Sequence, residues 1–100
     1  MVKTEDEIKR DIKNHMDKYE KKYSSWYIGV TEDPQRRLFD EHKVDEKKDH
    51  WIYSTAVSAE VARKIEKYFI EGLHVDGGKS GGDKDARVVY AYQKTTHTKP

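Results

Sequence analysis

A small α+β domain is the fold class this sequence predicts: a three-stranded sheet flanked by three helices, in the order α-β-α-β-α-β. Three observations predict it. The apolar residues switch repeatedly between a helical period of 3.6 and a strand period of 2. Capping residues stand where each helical run begins. A chain of 100 residues, 34% apolar and 39% charged, has room for one thin core and no second unit, so residues 1–100 form a single domain.

The first helix covers residues 4–22. Thr4 caps it, and Glu5, Asp6 and Glu7 fill the first turn, where the macrodipole favours negative charge. Ile8, Ile12, Met16 and Tyr19 share one stripe, and Lys18, Lys21 and Lys22 stand near its end. Residues 24–31 alternate, with Trp26, Ile28 and Val30 on one face, which predicts a strand with one buried side. Thr31 or Asp33 then caps a second helix with Pro34 in its first turn, running to about His42 with Leu38 inward. A mixed-charge loop over residues 43–49 leads to a second strand at 50–57. Ser58 caps the third helix, to about Leu73, with Val61, Ala62, Ile65 and Phe69 inward and Gly72 beginning its end. Residues 74–86, rich in glycine and charge, read as irregular, 87–94 as the third strand, and 95–100 as a frayed tail.

Composition narrows the function. The chain has no cysteine, so disulfides, cysteine zinc sites and thiol nucleophiles are excluded. It has no apolar run of the roughly 20 residues a membrane span needs, nor an apolar leader at its start, so a cytoplasmic, intracellular setting without membrane contact is expected. Twenty basic residues against nineteen acidic ones leave +1. Nucleic-acid affinity rests largely on phosphate neutralisation, so any such contact must come from a local patch.

The most informative segment runs from Tyr27 to Leu38. Gly29 weakens a strand interior and so suggests that something approaches that face closely. Tyr27 shares the face. A helix begins just beyond, so backbone N–H groups converge where an anion would sit, and Arg37 lies one turn into that helix. The plain alternative is a strand-to-helix connection carrying a surface pair, Arg36 and Arg37. The Tyr27-Ile28-Gly29 triplet, an arginine ten residues after its tyrosine (Arg37) and a histidine five further on (His42) resemble the GIY-YIG endonuclease family. The helix Ile65-Glu66-Lys67-Tyr68-Phe69-Ile70-Glu71-Gly72-Leu73 extends the likeness, which covers roughly residues 26–73.

The resemblance implies a metal-dependent nucleic-acid phosphodiesterase using one divalent cation, Mg²⁺ or Mn²⁺, with DNA favoured over RNA. Tyr27 would orient or deprotonate the attacking water, Arg37 would stabilise charge on the phosphate, and Glu66 would hold the metal. Gly29, Arg36 and Lys79 would touch substrate. His42 is read either as a proton shuttle or phosphate donor, or as a solvent-facing residue at a helix end. Glu66 borders the apolar stripe of its helix, with Arg63 as an ordinary salt-bridge partner. The sequence departs from the family pattern in two ways. Helix stands where a Gly-Ile-Tyr strand should precede Tyr27, and the only asparagine, Asn14, is not late in the chain. Trp51-Ile52-Tyr53 echoes the missing triplet but follows Tyr27. The third strand, with Tyr90 and Tyr92, is expected to take the missing strand's place and present a tyrosine.

The segment from His74 to Asp83 resembles a phosphate loop only superficially. Leu73 stands where its first glycine is needed, and a helix precedes it instead of a strand. A flap over substrate carrying Lys79 and a plain connection are the two readings, with Asp76 or Asp83 as supplementary metal ligands. Against the enzyme stands a module that keeps the fold and binds nucleic acid or a protein without catalysis. A homodimer or a partner protein would supply the affinity this small chain lacks.

Overall fold

Thr4 sets the first helix as its chemistry predicts. Its hydroxyl accepts from the Glu7 N–H at 3.2 Å while the Glu7 carboxylate accepts from the Thr4 N–H at 2.9 Å, a reciprocal capping box. The computed structural model describes residues 2–77 and 85–100. In order these form β1 (Val2–Lys3), α1 (Glu5–Tyr19), β2 (Trp26–Thr31), α2 (Arg36–Glu41), β3 (Trp51–Ala56), α3 (Ala59–Lys67, continued by a wide turn over Tyr68–Gly72), β4 (Asp76–Gly77) and β5 (Val88–Gln93). None of the helices described is long and apolar enough to cross a membrane.

The class is α+β, but the sheet has five strands, in the order β1-β3-β5-β2-β4. The expected three form its centre, with β5 antiparallel to both β2 and β3. Two short parallel strands extend the edges. Val2 and Lys3 pair with Thr55 and Ala56, and Asp76 and Gly77 pair with Tyr27 and Ile28. The segment beginning at His74 is therefore partly regular, because the open edge of β2 offers unpaired backbone groups to it.

One face of the sheet carries the main core, where Ile8, Ile12 and Met16 of α1 and Ala62, Ile65 and Phe69 of α3 meet Trp26, Ile28, Val30, Val89 and Ala91. The other face holds a smaller cluster of Tyr27, Leu38, Val44, Tyr90 and Tyr92, with Phe39 and Trp51 packed against it. All six residues of β2 are consequently buried, so the expectation of one buried side is corrected. Its second face is covered by α2 and the segments that follow.

Helix α1 stops at Tyr19, short of residue 22, where Glu20 turns extended and its carbonyl accepts from the Trp26 indole at 2.8 Å. Helix α2 follows the expected course, with Pro34 and Gln35 already helical and the Arg36 N–H donating to the Asp33 carboxylate at 3.2 Å, and over Arg36–Glu41 its turns are wide and π-type. It and α3 end alike. Lys43 (φ 61°) and His74 (φ 63°) adopt the left-handed conformation, and the N–H groups of Val44 and Val75 bond back to Leu38 and Phe69. Both valines are buried, supplying the apolar contact that accompanies such caps. Past α3 this conformation falls on His74 and not on Gly72.

Residues 95–100 were expected to fray, yet they are fastened. Thr98 is 8% exposed and exchanges hydrogen bonds with Thr95. His97 meets Asp49 at 2.6 Å, and the Lys99 N–H donates to the His42 carbonyl at 2.7 Å.

Candidate functional site

The alternation of β2 and β5 puts two pairs of cross-strand neighbours on the minor face. Tyr27 lies opposite Tyr92, and Gly29 opposite Tyr90. Close approach at Gly29, expected from sequence, is made by the molecule itself. A Cβ there would lie 2.5 Å from the Tyr90 hydroxyl oxygen and 2.6 Å from Cζ. Only glycine lets the Tyr90 ring cross the strand.

The wide end of α2 delivers His42 to this face. A solvent-facing helix-end histidine is corrected: His42 is 6% exposed, because the left-handed turn at Lys43 folds the chain back and the fastened tail covers it. Its Nδ1 lies 2.6 Å from the Lys99 carbonyl and 3.1 Å from the Tyr92 hydroxyl, and its Nε2 lies 2.7 Å from the Tyr90 hydroxyl. A carbonyl can only accept, so Nδ1 carries the proton and Nε2 accepts from Tyr90 O–H. The His42 ring is also 4.9 Å from that of Tyr27.

Arg37 completes the cluster. Its guanidinium donates to Glu41 at 2.9 Å and lies against the Tyr90 hydroxyl. Burial works against its charge, but Tyr90 and Glu41 outweigh burial and hold its pKa above the ordinary value. Its Nε is buried without a hydrogen-bond partner, so a donor inside the cluster is left unused. Burial pushes the Tyr90 phenol up to about 12, against the pull of Arg37, with Tyr27 and Glu66 adding to the rise. Burial also raises Tyr92. His42 is lowered by burial and by the Arg37 charge, against the Lys99 carbonyl and Glu41. The cluster thus holds a neutral imidazole, neutral phenols and one fixed cation.

Tyr27, Arg37 and His42 therefore meet, joined by Tyr90 and Tyr92. Glu66 stands at the margin, half-buried on α3 and near enough to act on Tyr90. Burial raises its own pKa, against the charge of Arg63. Arg36 is not brought in. Its side chain is 62% exposed and paired with Glu41, and it lines a separate surface groove of about 410 Å³ with Asp33, Gln35, Phe39 and Asp40. Asp76 pairs with Lys94 at 3.2 Å. Lys79 and Asp83 lie outside the described residues. A larger groove, about 550 Å³, is lined by Glu32, Thr55, Val57, Ser58, Asp85 and Arg87 and includes no member of the cluster. The contribution of Lys99 through its backbone carbonyl had no signal in the sequence, since any residue type could supply it.

Among the described residues no three His, Asp or Glu side chains converge on a cation. A magnesium ion needs no such cage, as it keeps several waters and takes one or two carboxylates plus substrate phosphate oxygens. The desolvated carboxylate of Glu66 fits that limited role.

Two histidines make folding pH-dependent. Burial lowers both His42 and His15 below the ordinary imidazole value of about 6.5, so the unfolded chain binds the extra protons. The stabilisation is full above that value and is lost as pH falls through the folded-state pKa values. The urea midpoint is expected to be highest near pH 7.5 and to fall by pH 5. His42→Gln should weaken the His42 share of that dependence, and an unaltered profile would contradict the burial of a neutral ring.

Comparison of the chain with family models, curated proteins and solved structures gave no match.

Proposed function

We propose that this chain is a GIY-YIG-like nucleic-acid phosphodiesterase domain in which β5, late in the sequence, supplies the tyrosine that a preceding strand would otherwise provide. The observation that carries the reading is the meeting of Tyr27, Arg37 and His42 around the Tyr90 hydroxyl. These three residues belong to one strand-to-helix connection, but Tyr90 lies 48 residues beyond His42, and a connection with a surface arginine pair has no reason to gather around a phenol from so far along the chain. Position in the sheet supports it as well. Strand β5 lies between β2 and β3 and holds Tyr90 beside the Tyr-Ile-Gly glycine.

The chemistry follows from the residues. Arg37 is a fixed positive charge with an unused N–H, suited to the oxygens of a phosphodiester whose negative charge grows as a fifth oxygen approaches. Tyr27 and Tyr90 offer hydroxyls on that face. A phenol that takes a proton from the attacking water can pass its own to His42 Nε2, which already accepts from Tyr90 and is held neutral by burial. Nδ1–H stays on the Lys99 carbonyl and fixes the tautomer. Glu66 would hold a Mg²⁺ or Mn²⁺ ion, and that ion supplies charge neutralisation at the leaving oxygen.

A second reading is favoured by a specific observation: Tyr27 is 1% exposed and Tyr90 and Tyr92 are 0% exposed. A cluster so covered suits a module that has kept the constellation as packing and binds without cutting. The two are separated by incubating plasmid, single-stranded DNA and RNA with Mg²⁺, Mn²⁺ or EDTA. The phosphodiesterase reading expects metal-dependent cleavage, reduced about 100-fold or more in Glu66→Ala. Cleavage that persists in EDTA or in that variant would indicate a contaminant. Absence of cleavage under every condition transfers the reading to binding.

A further inference from the structure

The net charge of +1 conceals a strong polarity. Segments 18–25 and 94–99 each carry +2 and segment 43–50 is neutral, so these 22 residues hold +4 and the rest of the chain −3. The fold gathers all three segments at one end of the sheet. Trp26 pairs with Gln93 and Trp51 with Tyr92. Lys94 N–H donates to Ser25, Gln93 N–H to His50 and Lys99 N–H to His42. His97 reaches Asp49. The larger groove, with Glu32 and Asp85, lies at the opposite end, where β2 and β3 finish.

Apart from Lys94, which pairs with Asp76, the lysines at this end differ from those on the helix flanks. Lys9, Lys13, Lys64 and Lys67 each meet a carboxylate one helical turn away. Lys18, Lys21, Lys22, Lys47, Lys48 and Lys99 are exposed, and among the described residues none makes an ion pair within 4 Å. Two of their acidic neighbours, Asp45 and Asp49, are engaged internally. Asp45 accepts from the backbone of Lys47 and Lys48, and Asp49 from the backbone of Asp45 and from His97. Among these cations stands an aromatic platform: Tyr19, 42% exposed, has its ring stacked on His50 at 3.8 Å and 14°, with Lys18 over its face.

We infer that this cationic end is a docking surface for single-stranded nucleic acid, with the lysines on phosphates and the Tyr19–His50 pair stacking a base. Unpaired cations interleaved with an exposed stacked ring are what single-strand binders present, whereas lysines alone would suit any polyanion. The choice of nucleic acid also rests on the phosphodiesterase reading of the neighbouring cluster. That cluster shares this end through His42 and Lys99, so a strand held here is led to it.

The test measures fluorescence anisotropy of a short labelled single-stranded oligonucleotide in EDTA, where metal-dependent cleavage cannot contribute. Lys21→Glu/Lys22→Glu, both at exposed positions, should weaken binding about tenfold or more and flatten the salt dependence by about 1.4 in log–log slope. Tyr19→Ala should weaken it about tenfold at constant salt slope. Lys64→Glu/Lys67→Glu should leave it unchanged. Equal losses in both lysine pairs would overturn the surface. So would anionic phospholipid vesicles or polyglutamate binding as tightly with the same sensitivity to Tyr19→Ala. Binding that follows these variants while no condition yields cleavage would remove the phosphodiesterase reading alone. Cleavage indifferent to them would remove the docking surface alone.

Discussion

Gly29→Ala should cost about 3 kcal/mol of stability, a large fraction of the total for a domain this size. The added methyl would sit 2.5 Å from the Tyr90 oxygen, 2.6 Å from Cζ and 2.9 Å from Cε1, so a rigid ring is met rather than the end of a flexible chain. Tyr90 has nowhere to go. It is 0% exposed, bonded to His42 and pressed by Arg37. The strand cannot yield either, since β2 is paired on both edges. Urea denaturation should show a lower midpoint at unchanged m-value. The cause can be isolated in a double-mutant cycle, because the same methyl in a Tyr90→Ala background should cost far less. An equal cost in both backgrounds would mean that the obstacle is backbone and not Tyr90.

Arg37→Ala should separate chemistry from folding. If the cluster cuts phosphodiesters, loss of its one fixed cation should reduce cleavage about 100- to 1,000-fold. The stability change should be small, about 1 kcal/mol or less, because the pair with Glu41 is partly exposed at 19% and 41% and is screened by solvent. An independent signature attends the loss. Arg37 depresses the His42 pKa and opposes the rise at Tyr90, so in the variant His42 should titrate higher by NMR and the Tyr90 phenol should ionise still less readily. Arg37→Lys keeps a charge but loses the planar fork that spans Glu41 and Tyr90, and should recover the His42 shift better than the rate. Undiminished cleavage in Arg37→Ala would remove the phosphodiesterase reading.

The long elements were legible because each has a period and a cap. The 15 residues of α1 carry an apolar stripe and a capping box, and Ser58 announces α3 by the bond its hydroxyl takes from Val61. Strands β1 and β4 were illegible for the opposite reason: two residues have no period, and pairing with an open edge demands nothing of their side chains. At the site, Tyr27, Arg37 and His42 could be named from their resemblance to the GIY-YIG pattern, and Tyr90 and Tyr92 as the tyrosines of the strand available to replace the missing one. Their burial could not, since it depends on the fold-back at Lys43 and on the fastening of residues 95–99. Arg36 and Arg37 also look alike in sequence. Adjacent helical positions point to different sides of the axis, and only the observed packing decides that Arg37 faces Tyr90 while Arg36 faces water.

The order of the strands has a further consequence, for the ribosome. Strands β2 and β3 are synthesised first but do not pair with each other. Both must wait for β5, which lies between them and follows them in sequence. Until Val88–Gln93 emerges, each of these strands has only a two-residue partner, β4 beside β2 and β1 beside β3, and its inner edge stays unsatisfied. Sheet closure is then a single late event of long sequence separation, which predicts slow folding for the chain's size and a need for protection from aggregation during synthesis.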